Sequence, residues 1–281
     1  MVNAMATIGL LHPGEMGASL GAALVEGGHT VLSVRQGRSQ ATLDRAGAAG
    51  IRTVETLDDL TGASQVVISV CPPDAAETVA QQVAATGFSG TYVDANAVSP
   101  ATAARLAQVT SAVGAHFVDG DIIGGPIRRG GGTRLYLSGR RAREVAELTG
   151  GHPETVVLGE DPTAASTLKM CYAAWTKGTS ALLLAIVALA SQAGLSEALQ
   201  AEWARSQPDL GERVARAVRS TPAKAWRFAG EMEEIAATFS AAGLSGGFGA
   251  AAADTYRRLA PFKDGPAPDL PELLAALLTE R

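Results

Sequence analysis

Through the first 160 residues the apolar positions fall in short runs rich in Val, Ile and Leu. These are "ATIGLL" (6–11), "HTVLSV" (29–34), "QVVISV" (65–70), "GTYVDA" (90–95), "HFVDGD" (116–121), "RLYLSG" (134–139) and "TVVLGE" (155–160). Segments with helical spacing, such as Pro100 to Val113, separate them. Short strands alternating with helices predict a parallel, helix-covered sheet. The pairing of the last two runs is expected to be less regular. After Asp161-Pro162 no run reads as a strand. Ala- and Leu-rich helical stretches follow, punctuated by Gly194, Pro208, Pro222 and the run from Pro266 to Pro271. The pattern predicts an α/β domain over 1–161 and an all-helical domain over 162–281. A helix from about Thr163 to Ala193 is long enough to form the joint.

Composition narrows the class. The 281 residues suffice for two packed domains or one large one, and 47% apolar with 18% charged is ordinary for a soluble globular protein. A net charge of -5 and a pI near 5.4 argue against a nucleic-acid surface or a polybasic membrane anchor. Cys71 and Cys171 are too few and too far apart for a disulfide framework or a metal site, so a reducing, cytoplasmic compartment is expected. No basic region followed by an apolar run opens the chain, and no secretory signal is expected. The most apolar run, Thr179 to Gly194, falls short of the ~20 residues that span a bilayer. It reads as a helix buried on all sides, with no membrane partner.

The first strand leads into "IGLLHPGEMG", a turn before the Ala/Leu helix Ala18 to Glu26. Strand, glycine turn and helix form the context in which G-x-G-x-x-G binds a dinucleotide. Gly14 allows close approach of a pyrophosphate, Gly17 lets helix pack on strand, and the helix N-terminus supplies N–H donors. The candidate loop is His12, Pro13, Gly14, Glu15, Met16 and Gly17, with His12 where the first glycine belongs. Two readings of His12 stand side by side: a stiff His-Pro loop, or an imidazole that donates to the phosphates. Both keep the nucleotide. An NAD-binding unit would place an acid at position 35 on the ribose hydroxyls, and this chain has Arg35, followed by Arg38 and Ser39. A guanidinium suits a 2′-phosphate, which points to NADP (NADPH), although a solvated Arg pair in a loop is the plain alternative.

The order "IGLLHPGEMG", "GGHTVLSV", "VVISVCPP", "YVDANAVSP", "FVDGDIIGGP" and a later helix bearing Lys169 resembles the β-hydroxyacid dehydrogenase and 6-phosphogluconate dehydrogenase superfamily. The likeness covers the N-terminal half closely, and the C-terminal half mainly through Lys169 and "RFAGEMEEIAATF". It implies a Rossmann-type domain, a long interdomain helix, a helical domain that builds a homodimer, and hydride transfer to or from a small molecule in the cleft between domains. Lys169 would then deprotonate an alcohol or protonate an alkoxide. From the residues alone, a lysine on the apolar helix "AASTLKMCYAAW" either snorkels to solvent or faces a cleft partly desolvated and tuned for proton transfer. Tyr172 lies one turn on as a second candidate proton donor.

The chain also departs from that pattern. The family's substrate-binding serine before the glycine pair Gly124-Gly125 is Ile123, its asparagine four residues after the lysine is Ala173, and its later Lys-Asp pair is Glu233-Glu234. A tight turn explains the glycine pair as well as ligand approach does. Glu231, Glu233 and Glu234 read as a solvated helix face, or, if one such as Glu234 entered the cleft, as a preference for an amine or iminium. Asn96 is the candidate for the nicotinamide side, and Cys71-Pro72 shapes a cofactor loop. The reading is an NADP-dependent dehydrogenase or reductase acting at C–O or C=O. Imine reductase-like C=N reduction and a non-catalytic dinucleotide-binding protein stand as alternatives.

Overall fold

The computed structural model describes residues 5–263 and 265–279, and it divides into two units, 1–169 and 170–281. Among the described residues of the first unit, eight strands form one sheet: β1 (Thr7–Leu11), β2 (Thr30–Val34), β3 (Arg52–Val54), β4 (Val66–Ser69), β5 (Thr91–Asp94), β6 (His116–Ile123), β7 (Arg134–Ser138) and β8 (Glu154–Val157). Their order is β3-β2-β1-β4-β5-β6-β7-β8. The chain turns from one direction of growth to the other between β1 and β4, the switch point where open α/β sheets bind ligands. Strands β1 to β6 are parallel, as the alternation predicts. The irregularity falls one pair earlier than expected: β6 and β7 pair antiparallel, whereas the last two runs, β7 and β8, pair in regular parallel register.

The continuous apolar runs exist because both sheet faces are covered. Ile8, Leu10, Val31, Ile68 and Val93 enter one core with Leu20 and Leu24 of α1 (Glu15–Glu26). The alternate residues Leu11, Leu32, Val67, Tyr92 and Phe117 enter the other. That second layer is closed by α3 (Leu57–Ala63), α4 (Ala76–Ala85) and α5 (Pro100–Ser111), through Leu60, Val83 and Leu106. The remaining helices of this unit are α2 (Gln40–Ala48) and α6 (Ala142–Leu148). β3 is missing from the sequence reading: three residues at a sheet edge, two of them exposed, carry no apolar run.

The second half is helical, as expected: α7 (Ala164–Gln192), α8 (Ser196–Ser206), α9 (Leu210–Ser220), α10 (Ala225–Ala241), α11 (Gly247–Leu259) and α12 (Leu270–Leu278). The expected boundary is at 161/162; the division between units falls inside α7, after Lys169, because Ala165, Ser166 and Lys169 in its first turns bond to β6 and β7. The second unit's core gathers Met170, Ala173, Ala181, Leu184, Met232, Ile235, Tyr256 and Leu273. One expectation is corrected. The apolar run lies in a 29-residue helix, long and apolar enough to cross a membrane by length and composition, and it is not buried on all sides. One face packs into the core of the second unit, while Trp175, Leu182 and Leu189 remain 59–65% exposed.

Candidate active site

The turn after β1 answers the question raised by His12. His12 has φ +62°, the left-handed conformation that glycine usually supplies, and its carbonyl accepts the Gly14 N–H at 2.7 Å. The histidine therefore takes over the turn itself. A Cβ on Gly17 would stand 2.6 Å from the His12 carbonyl oxygen, so glycine is required there for α1 to meet the turn. A Cβ on Gly14 would meet no protein atom within 4 Å, and α1 starts from Gly14 without a side-chain cap. No side chain therefore satisfies its first N–H groups, which are the groups that take a phosphate in dinucleotide-binding turns. Glu15 is exposed, Met16 packs half-buried against the sheet core, and the Pro13 carbonyl accepts from Arg45 at 3.4 Å.

Beside the turn lies a cavity of about 410 Å³, lined by His12, Val34, Gln36, Arg38, Leu57 and Gln82 among others. Within it, His12 Nδ1 and Arg38 Nε are buried without a protein partner. Burial, and then the Arg38 charge, lower the imidazole to about 4, so it is neutral at physiological pH. Arg35 is exposed and does not line this cavity; its backbone N–H bonds the Val54 carbonyl at 2.8 Å. Ser39 caps α2, accepting from Thr42 N–H at 3.4 Å. The uncapped helix start, the open Gly14 and the unpartnered His12 and Arg38 nitrogens together fit a bound dinucleotide.

The loops after β4 and β5 leave the same edge of the sheet. Asn96 commits its side chain there: its oxygen accepts Cys71 N–H at 2.5 Å, and its nitrogen donates to Ser69 Oγ at 3.1 Å and Asp94 Oδ1 at 2.5 Å. It thereby fixes the Cys71-Pro72 loop. Asp94 is fully buried, and burial holds its carboxyl well above the usual range. Burial likewise pushes the Cys71 thiol up to about 11, leaving a neutral thiol suited to shaping the loop.

The strongest constellation joins β6 to the start of α7. Asp119 and Asp121 point to one face of the strand by its two-residue period, and Ser166 and Lys169 to one face of the helix by its three-residue spacing. The two pairs meet. Asp119 accepts Ser166 N–H at 2.8 Å and Ser166 O–H at 2.6 Å, and Ser138 Oγ accepts Ala165 N–H at 3.0 Å. These bonds satisfy open donors of the first turn of α7. Lys169 donates to Asp121 Oδ1 in a short contact and to the Ile122 carbonyl at 2.7 Å. Burial raises Asp119 to about 6 and Asp121 to about 7, the latter with the Lys169 ammonium pulling back and Asp119 pushing further. Asp121 Oδ2 is buried without a partner. Asp119, Asp121 and Ser166 were not singled out from the sequence. The available signal was the D-x-D spacing of "FVDGDII" set against S-x-x-K on a helix.

The remaining candidates separate. Ile123 is buried at the end of β6. Gly124 has φ +136°, and a Cβ there would stand 2.7–2.8 Å from Thr133 atoms, so that glycine belongs to the turn. Gly125 is open on the Cβ side, and its carbonyl accepts Thr133 O–H at 2.8 Å. In the second unit Ala173 lies in the apolar core and Tyr172 is 45% exposed. Of the acidic triplet, the buried member is Glu231, ion-paired with Lys177 in a short contact and with Arg227 at 3.5 Å. Glu233 pairs with Arg257, and Glu234 is half-buried. No cluster of metal-ligating side chains occurs among the described residues.

A mostly parallel sheet whose first strand feeds a tight turn and an uncapped helix, with cofactor loops on one edge, defines a dinucleotide-binding α/β protein carrying a helical unit. Residues 4–149 match the NAD binding domain of 6-phosphogluconate dehydrogenase, and the chain belongs to that family. Residues 190–259 match a domain of unknown function, DUF1932. The chain is 32% identical over 164 residues to the uncharacterized 28.5 kDa protein in the 7S RNA 5′ region of Methanothermus fervidus, a match covering 58% of this chain and 63% of that protein. It thus spans less than two thirds of that relative's length. A solved conserved protein of unknown function, described as structurally similar to 3-hydroxyacid dehydrogenases, is 28% identical with a TM-score of 0.71, over 92% of this chain and 98% of that one. Two further solved structures share the fold at 20% identity. The Mycobacterium tuberculosis 3-hydroxyisobutyrate dehydrogenase with L-serine has a TM-score of 0.71, covering 98% of this chain and all 100% of its own. The Aspergillus terreus reductive aminase with NADPH and ethyl levulinate has 0.58, covering 97% and 99%.

Proposed function

We propose that this protein is an NADP(H)-dependent oxidoreductase that moves hydride between the nicotinamide and a C–O or C=O centre of a small molecule. The observation that carries this reading is Lys169. An ammonium has three N–H bonds; two are held by Asp121 and the Ile122 carbonyl, and the third is left for a substrate oxygen. Lys169 is thereby a fixed proton donor in the unit that also carries the dinucleotide turn. When bound, the cofactor supplies or accepts the hydride; Lys169 supplies or accepts the proton at oxygen. Arg38 supports the choice of NADP, since it lines the cavity beside the turn.

An oxygen substrate is favoured over an amine or iminium. The acids of α10 that would attract a cation carry partners: Glu231 has Lys177 and Arg227, Glu233 has Arg257, and Glu234 is not free either. A homodimer is part of the proposal. Trp175, Leu182 and Leu189 recur every seven residues along α7, exposed and interleaved with small Gly178 and Ala185. That 3.5-residue seam suits a second copy of the same helix.

The test is NADPH oxidation over panels of aldehydes, ketones, keto acids and cyclic imines, with deuterium from labelled NADPH traced into product. Lys169→Met should keep fold and NADPH binding while slowing the chemical step by ~100- to 10,000-fold. Tyr172→Phe is the control. A near wild-type Lys169→Met, or a larger loss at Tyr172, would overturn the assignment. Light scattering across micromolar concentrations checks the dimer, and a monomer throughout contradicts it.

A further inference from the structure

Asp121 is the carboxylate that holds Lys169, and the proposed function assigns no role to its own protonation state. It stands at 1% exposure on β6, and one of its oxygens has no hydrogen-bond partner in the protein. A buried ionised carboxyl with an unsatisfied oxygen is expensive, whereas a protonated one carries a neutral O–H. The groups around it are few: Lys169 from α7, Asp119 two residues back on β6, and Asp94 on β5 through its charge. Tyr136 is its cross-strand neighbour on β7. Two acids and one ammonium leave the carboxyl poised to hold a proton.

We propose that Asp121 is a positioning residue for Lys169 that also stores the proton Lys169 delivers. The inference rests on Lys169 being the proton donor. In the reductive direction a Lys169 N–H bond breaks as an O–H bond forms on the substrate oxygen, while carbon receives hydride from the reduced nicotinamide dinucleotide. The Asp121 O–H bond then breaks as the Lys169 N–H bond re-forms. The net result is one proton moved from Asp121 to product, leaving an ammonium–carboxylate pair. Oxidation of an alcohol runs the same transfers backwards. Lys169 is the more accessible member of the pair, with 12% of its side chain exposed against 2% for Asp121, so solvent protons return to Asp121 through Lys169. The Ile122 carbonyl keeps Lys169 in place while the charge on Asp121 changes.

The test uses full-length protein. Carbon-13 labelling of aspartate carboxyls, assigned with Asp121→Asn, follows Asp121 by NMR titration without cofactor or substrate. It should titrate well above the ordinary value near 4, and higher still in Lys169→Met, which removes the cation. In turnover, Asp121→Asn keeps shape and an acceptor oxygen but holds no proton. It should lower kcat by ~10- to 100-fold with KM little changed, and flatten the pH dependence of the chemical step across the range where Asp121 titrates. An Asp121 that titrates near 4, or an Asn variant with wild-type kcat and pH profile, overturns the proposal. A chain that turns over no substrate in any panel sinks the oxidoreductase reading, and the substrate-free titration still decides whether Asp121 stores a proton.

Discussion

Arg38 is the position at which cofactor choice is most directly tested. Its guanidinium is half-buried at the cavity beside the His12 turn, and its Nε has no partner in the protein, so donors are available for a 2′-phosphate. A hydrogen bond to a charged group is worth ~1.5–3 kcal/mol, which converts to roughly 10- to 150-fold in Kd. Arg38→Ala should weaken NADP⁺ by that factor and leave NAD⁺ nearly unchanged, because NAD⁺ lacks the phosphate. Arg35 lies outside the cavity, and its backbone bond to Val54 survives truncation. Arg35→Ala should therefore change NADP⁺ binding by less than ~0.5 kcal/mol, as for an ordinary surface substitution. Titration calorimetry of both variants with both cofactors, at one fixed ionic strength because salt screens the charge, gives the comparison. Equal losses for NADP⁺ and NAD⁺, or a larger loss at Arg35, would refute the reasoning.

Gly17→Ala sets a Cβ 2.6 Å from the His12 carbonyl, where neither backbone can yield freely; we expect ~1–3 kcal/mol of lost stability by urea titration together with weaker dinucleotide binding. Lys177→Met leaves buried Glu231 with only the Arg227 pair at 3.5 Å, so the loss should approach the ~3–5 kcal/mol of a broken buried ion pair. Adding Glu231→Leu should recover much of it, and simply additive losses in that cycle would refute the coupling. Stability should also fall as pH rises from about 4 to about 7. Asp119 and Asp121, whose carboxyls are raised on folding, contribute stability that is complete below their unfolded value and lost as pH passes about 6 and about 7. His12, lowered to about 4, acts in the opposite sense, its contribution being lost as pH falls from 6.5 toward 4. His12→Asn should remove that opposing slope, and thermal melts that rise with pH across the window in both proteins would contradict the balance.

The sheet was legible because burial on both faces concentrates apolar residues in short runs, and seven of the eight described strands carry one, even β6, whose run Asp119 and Asp121 interrupt. β3 does not, since an edge strand of three residues buries little. The glycine turn was legible in its spacing, but the role of His12 was not: no residue type announces a positive φ. Spacing in the sequence favours Arg35 as the ribose contact, and the turn from Arg35 to Arg38 instead brings Arg38 to the cavity. The aspartates of β6 stayed hidden because their partners, Ser166 and Lys169, lie 47 and 48 residues away. Likewise, which acid of "GEMEE" goes inside is set by Lys177, 54 residues from Glu231.

The two aspartates of β6 show how stability and chemistry divide at this site. Both are buried, where an apolar residue would cost less. At Asp119 the cost is partly offset, because the carboxylate takes donors at the start of α7 that would otherwise be buried unpaired, and it favours the positive end of that helix. Nothing comparable offsets Asp121. Its second oxygen is unpartnered, and its one strong contact is the lysine that faces it. The packing of β6 against α7 would be as well served by an apolar pair at 121 and 169. On the proposed chemistry a carboxyl and an ammonium there serve proton movement, and Lys169 with Asp121 then forms one acid–base unit rather than a salt bridge holding the fold.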